Sequence, residues 1–138
     1  MRVFFDTNVL ISAFTARGLC ADLMRVVLAE HELQTGAVNI TELRRVLRDR
    51  FKTPVAQIGV VEALLRDHTI VPKPRVVPAI RIRDADDAWV LASAIAGEAD
   101  MLVSGDQDLL SITKTSPLPI LSPREAWERL RGDPEGAA

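Results

Sequence analysis

The 138-residue sequence holds a single cysteine, Cys20, which excludes an internal disulfide and every zinc site built from several cysteines. With no histidine or second cysteine nearby in sequence, Cys20 is expected to be a buried structural thiol. Histidine is almost as scarce. His31 and His68 stand apart, neither in the His-Glu-x-x-His spacing of a helical metal site, and both are expected at the surface. A glycine-rich phosphate loop is missing, because Gly18, Gly36, Gly59, Gly97 and Gly105 are isolated turn or cap residues. No apolar run is long enough to span a membrane and no basic leader precedes an apolar stretch, so a cytoplasmic protein is expected. Aromatic residues supply only 4% of the chain. Trp89 and Trp127 both fall within helical patterns, where core packing is the default and base stacking the lesser alternative.

Hydrophobic residues make up 48% of the chain and charged residues 26%, a balance that excludes disorder. A domain of this size buries roughly two thirds of the surface its unfolded chain would expose. Residues 1–131 are expected to form one domain, followed by a polar tail, 132–138, with no reason to be ordered. The net charge of −2 argues against a dedicated nucleic-acid binder until its distribution is considered. Arg44, Arg45, Arg48, Arg50 and Lys52 form one basic cluster, and Lys73, Arg75, Arg81 and Arg83 form another. These are ordinary solvated surface unless they flank a site for a polyanion.

Arg2-Val3-Phe4-Phe5 reads as a short buried strand that stops at Asp6-Thr7-Asn8, with Thr7 or Asn8 the natural N-cap of a helix carrying Val9, Leu10, Ala13 and Phe14. Further helices are expected over Leu19 to Glu30, from Asn39 or Thr41 to Phe51, and from Pro54 to about His68. Short strands fit Leu33 to Gly36 and Thr69 to Val71. Pro72, Pro74 and Pro78 then forbid regular structure, leaving Lys73 to Arg83 extended and exposed. Asp84, Asp86 and Asp87 open a helix in which Ala88, Leu91, Ala92, Ile95 and Ala96 recur at helical spacing up to Gly97, and Met101 to Ser104 follows as a strand. Pro119 to Leu121 is the last strand, and Ser122-Pro123-Arg124-Glu125 is a capping box for a helix ending by Gly132. Five short apolar strands separated by helices predict a three-layer α/β/α fold around a central parallel sheet.

In such folds ligands bind beyond the carboxyl ends of the strands, where strand order reverses. Asp6 and Asp106 fall there, and Glu42 and Asp87 join them if the intervening helices pack as expected. Each acid alone has a structural explanation: Asp84, Asp86 and Asp87 suit a first helical turn, and Asp106 or Asp108 can cap the helix that follows. No helix preference, however, asks for acids at the ends of two buried strands. Two unit charges about 4 Å apart repel by about 4 kcal/mol at an effective dielectric of about 20, so four carboxylates in one pocket need protons or a cation. Mg²⁺ and Mn²⁺ prefer such oxygen ligands.

The segments Val3-Phe4-Phe5-Asp6-Thr7-Asn8-Val9-Leu10, Thr41-Glu42-Leu43, Asp87 with Ala92 and Ala94, and Leu102-Val103-Ser104-Gly105-Asp106-Gln107-Asp108-Leu109 resemble the four motifs of PIN-domain nucleases. They stand in the family's order over residues 2 to about 122, and look most like the bacterial VapC-like toxins of toxin-antitoxin pairs. The resemblance implies a parallel sheet flanked by helices and a Mg²⁺- or Mn²⁺-dependent ribonuclease site in which Asp6, Glu42, Asp87 and Asp106 are the catalytic, metal-binding acids. It implies supporting roles for Asn8 and for Ser104, which stands where relatives often have threonine. Spacing to Ala92 and Ala94 selects Asp87 over Asp86. Asp108 is placed among the supporting residues, where the next helix starts. Contacts to the RNA backbone are expected from Arg44, Arg45, Arg48, Lys73, Arg75, Arg81 and Arg83. The expected partners are RNA, a cognate antitoxin and a second copy of the chain.

Two other readings compete. A receiver-like phosphoryl-accepting module also keeps acids and Mg²⁺ at strand ends, but it needs a paired acid after the first strand and a lysine ending the last. Here the first strand ends Asp6-Thr7-Asn8 and the last ends Leu121-Ser122-Pro123. A PIN-like scaffold that binds a partner without catalysis would have no need to tolerate four mutually repelling acids.

Overall fold

Strand β1 (Arg2–Phe5) is apolar on both faces, and a strand of that kind belongs inside a sheet covered on both sides. In a computed structural model, which describes residues 1–132, it is the central strand. The expected tail from residue 133 onward lies outside the described residues. The sheet runs β3-β2-β1-β4-β5, with β2 at Glu32–Gly36, β3 at Thr69–Val71, β4 at Met101–Val103 and β5 at Ile120–Leu121. Every pairing is parallel, as the expected α/β/α architecture requires.

Alternation along the strands divides the core in two. Val3 and Phe5, with Leu33, Met101 and Val103, face α1 (Thr7–Thr15), α2 (Leu19–Glu30), α3 (Ala37–Asp49) and α4 (Val55–Arg66). Phe4, with Val71, Leu102 and Ile120, faces α5 (Ala85–Ala96) and α6 (Gln107–Leu110). Phe4 and Phe5 are both fully enclosed, and burying such a side chain stabilises by about 1.5 to 3 kcal/mol. The capping box at Ser122 and Glu125 forms as expected and starts α7 (Pro123–Trp127), which runs on into a wider-wound turn over Glu128–Gly132. Cys20 is partly buried against the first core and the burial raises its thiol pKa, consistent with a structural thiol. No helix among the described residues is long and apolar enough to cross a membrane.

Several local expectations need correction. The N-cap of α1 is Asp6 itself, whose carboxylate accepts the Thr7 amide at 2.8 Å; the chain passes from strand to helix with no residue to spare, so neither Thr7 nor Asn8 is free to cap. Helix α3 starts at Ala37, because the Asn39 side chain bonds the Gly36 amide and so satisfies the helix start. On α5 the buried apolar residues are Val90, Leu91, Ala92 and Ala94, while Ala96 is exposed. Leu91, Ala92 and Ile95 of the expected stripe do face the core, but the helix is apolar nearly all round, so spacing missed Val90 and Ala94 and wrongly included Ala96. Gly97 closes α5 where only glycine fits: a Cβ would lie 2.7 Å from both Gln34 Oε1 and Val71 Cγ2.

Candidate active site

The order of strands reverses between β1 and β4, and Asp6 follows β1 at that point. Its side chain is 4% exposed. A carboxylate so enclosed must be hydrogen-bonded, and the surrounding chain supplies four donors. The Thr7 amide and Asn39 Nδ2 donate to Oδ1, at 2.8 and 3.2 Å. The Ser104 hydroxyl donates to Oδ2 at 2.7 Å, as does Asn8 Nδ2 at 3.3 Å. Asn8 Oδ1 also accepts the Gly105 amide, which ties α1 to the loop after β4. Burial pushes the Asp6 pKa up to about 6; the bonds from Ser104 and Thr7 oppose the rise, and the charges of Glu42 and Asp106 add to it.

Ser104, one residue past β4, carries the arrangement across to the neighbouring strand. Its hydroxyl donates to Asp6 and accepts the Asp106 amide at 2.9 Å. Asp106 in turn accepts the Asp108 amide at 2.8 Å and is the N-cap of α6. Capping and lining the site are therefore not alternatives for Asp106.

From α5, Asp87 reaches the same place. It is 7% exposed, and its Oδ2 is buried with no hydrogen-bond partner among the described residues. Burial raises its pKa to about 7, helped by the charges of Asp106, Asp6 and Asp84. One carboxylate oxygen each from Asp87, Asp106 and Asp108 lie within 4.8 Å of one another. Glu42, on α3, is half-exposed and lies 3.8 Å from Arg45. All of these groups except Asp108 line a cleft of about 460 Å³, together with Asp84 and Asp86. Asp86 is exposed where Asp87 is buried, though both line the cleft.

The donor set fits a hard divalent cation: carboxylate oxygens converge, two of the acids are driven toward protonation, and one oxygen is buried without a partner. Asp87, Asp106 and Asp108 form the tightest group, with Asp6 and Glu42 beside it. Asp108, expected only as support, thus has an oxygen within the same group of carboxylates.

The basic residues divide. Arg45 and Lys73 line the cleft. Arg44 pairs with Glu62 of α4 and Arg48 with Asp49, and neither arginine is among the lining residues. Arg75, Arg81 and Arg83 are exposed on the extended segment before α5 and are not among the cleft residues. Trp89, expected in the core, is half-buried in the cleft wall with the Lys73 ammonium 4.4 Å from its ring centroid.

Sequence reasoning missed Asn39. It is 1% exposed and bonds Asp6, the Thr7 hydroxyl and the Gly36 amide at once. Its closeness to Gly36 is possible because that residue has no side chain; a Cβ there would lie 2.8 Å from Asn39 Oδ1. An asparagine three residues after a strand-ending glycine was the available signal.

A family model for the PIN domain matches residues 2–108. The chain belongs to the PIN-domain family. Family members are nucleases, and an acidic cluster is present in this chain. A search of curated proteins finds no match. Among solved structures, this PIN domain resembles a chain of VapBC2 from Rickettsia felis bound to a DNA fragment from their promoter, with 13% identity, a TM-score of 0.63, and 88% of this chain and 98% of that one covered. It resembles VapBC-1 from nontypeable Haemophilus influenzae at 17% identity and a TM-score of 0.61, covering 90% and 99%. FitAcB from Neisseria gonorrhoeae matches at 14% identity and a TM-score of 0.64, covering 88% and 98%. At these identities the likeness establishes the fold, in agreement with the expected PIN-like α/β/α architecture.

Proposed function

We propose that this PIN domain is a Mg²⁺- or Mn²⁺-dependent endoribonuclease, the toxin of a toxin-antitoxin pair, with Asp6, Glu42, Asp87 and Asp106 as its catalytic acids. The observation that carries the reading is the buried, partnerless Oδ2 of Asp87 beside oxygens of Asp106 and Asp108. A buried carboxylate oxygen without a partner calls for an explanation, and an ion held with Asp106 and Asp108 supplies one. Asp6, Glu42, Asp87 and Asp106 would hold the ion, with Asp108 adjoining. When bound, such a cation polarises the phosphodiester and acidifies a water.

The remaining roles belong to the chain itself. Ser104, Asn8 and Asn39 fix the rotamer of Asp6. Without a cation Asp87 shares a proton at neutral pH, and cation binding displaces it. Arg45 and Lys73 offset the negative cleft for an incoming phosphate. The fold shared with VapBC and FitAcB chains supports a cognate antitoxin as partner, and the domain proposed to carry the chemistry is residues 1–131.

The test is cleavage of single-stranded RNA by the purified protein. Mn²⁺ or Mg²⁺ should support it, and chelator or Asp106→Asn should abolish it; cleavage persisting in either case refutes the assignment. Toxicity is read separately: induced expression should arrest bacterial growth for the wild type and not for Asp106→Asn.

A further inference from the structure

Trp89 is out of place as a core residue. Among the described residues it is the only aromatic lining the cleft: Phe4 and Phe5 are in the sheet, and Phe14 and Trp127 pack on the first core. The wall around this half-buried indole holds six acids as well as the apolar Ile11, Val38 and Val90, so aromatic surface faces a cleft that is otherwise largely polar. Its neighbour is equally specific. Arg45 and Lys73 are the only cations lining the cleft among the described residues, and Lys73 holds its ammonium over the Trp89 ring at 4.4 Å. Arg45 stands on α3, which covers one face of the sheet, while Lys73 belongs to the segment entering α5, which covers the other. A polyanion spanning the two cations therefore crosses the acids and arrives at the indole.

We propose that Trp89 is a stacking platform for one base of a single-stranded RNA, with Lys73 taking the adjoining phosphate. The assignment rests on the nuclease reading and adds to it the part of the substrate that is held. Every base presents a π-face, so stacking of this kind holds a nucleotide without reading its identity. Lys73 already occupies a cation site on the ring, and it has a phosphate to move to when a base takes its place. A structural alternative is that the Lys73 contact only anchors the extended segment to α5. The two differ in one respect: an anchor is indifferent to whether the ligand carries bases.

Trp127→Phe makes Trp89 the single tryptophan, since the chain has two. This protein is titrated, in chelator so that nothing is cleaved, with a short oligoadenylate and with a ribose-phosphate oligomer of equal length lacking bases. Oligoadenylate should quench Trp89 fluorescence and bind roughly 5- to 150-fold more tightly than the base-free oligomer, the range expected for one stacked base. Trp89→Leu should bring the two affinities together, and Trp89→Phe should keep part of the difference, which also guards against a folding defect in the leucine variant. Equal binding of both oligomers, no quenching, or no binding of either overturns the platform. Mn²⁺-dependent cleavage measured on the same protein shows whether the nuclease reading survives that failure.

Discussion

Replacing Asp87 by asparagine should make the metal-free protein more stable at neutral and alkaline pH. Asp87 Oδ2 has no partner to lose among the described residues, so an amide can take its place without breaking a bond there. The wild-type carboxyl has its pKa raised from 3.8 to about 7, first by burial and then by Asp106, Asp6 and Asp84. An acid raised in this way binds its proton more tightly in the native state than in the unfolded chain. Its contribution is fully present below about pH 4 and is lost as pH rises through about 7. At 1.36 kcal/mol per unit the loss is about 4 kcal/mol, a ceiling because the neighbouring acids share the proton uptake. For a domain of this size about 3 °C accompanies each kcal/mol, so the shift is as much as about 10 °C. Melting curves in chelator from pH 4 to pH 8 should fall for the wild type and run flatter for Asp87→Asn, the two meeting near the acid end. Adding Mn²⁺ at pH 8 should raise the wild type by about 2.7 kcal/mol at a hundred times Kd, and the variant by less. Parallel pH curves, or equal Mn²⁺ shifts, would refute the argument that these acids crowd one another around an ion site.

Asp106 separates capping from chemistry: Asp106→Asn keeps a side-chain acceptor for the Asp108 amide and should lose cleavage at little cost in stability, whereas Asp106→Ala should lose cleavage and about 0.5 to 2 kcal/mol besides, read by urea denaturation. Asp108→Asn should weaken Mn²⁺ binding measured by calorimetry, because its oxygen lies within the Asp87 and Asp106 group; unchanged affinity would return it to a purely structural position. Arg45→Ala should lower RNA affinity and flatten its salt dependence, while the double change of Arg44 and Arg48 to alanine should do less, those two being paired elsewhere. Gly36→Ala should destabilise by about 1 to 3 kcal/mol in thermal melts and slow cleavage, since the added carbon pushes on Asn39 Oδ1 at 2.8 Å and through it on Asp6.

The sheet was legible because strands buried on both faces are written as unbroken apolar runs, and β1 and β4 each stop close before an acid. That same stop made Asp6 and Asp106 readable as cleft residues. The helix faces were less legible. Helix α4 is apolar on most sides, yet only Ile58 and Leu65 are buried, with Val55 and Val60 left 82% and 68% exposed; periodicity has no contrast to work with there. Asn39 escaped because its partners lie 32 and 33 positions away at Thr7 and Asp6. Its one local mark, a place three residues after the strand-ending Gly36, does not reveal those distant partners. The basic clusters divide for a similar reason, since a run of arginines on one helix spreads around it, and here just one of Arg44, Arg45 and Arg48 lines the cleft.

Strand β1 assigns consecutive residues to three different places: Val3 and Phe5 to one core, Phe4 to the other, and Asp6 to the cleft. Inserting or deleting a single residue within it would exchange the two phenylalanines between layers and move the carboxylate off its four donors in the same stroke. The proline-rich segment between β3 and α5 has no ladder to keep and no such constraint. Length differences among homologous chains should therefore accumulate in that segment and be barred from residues 3 to 6, making the spacing of this strand a sharper mark of kinship than the identities of its residues.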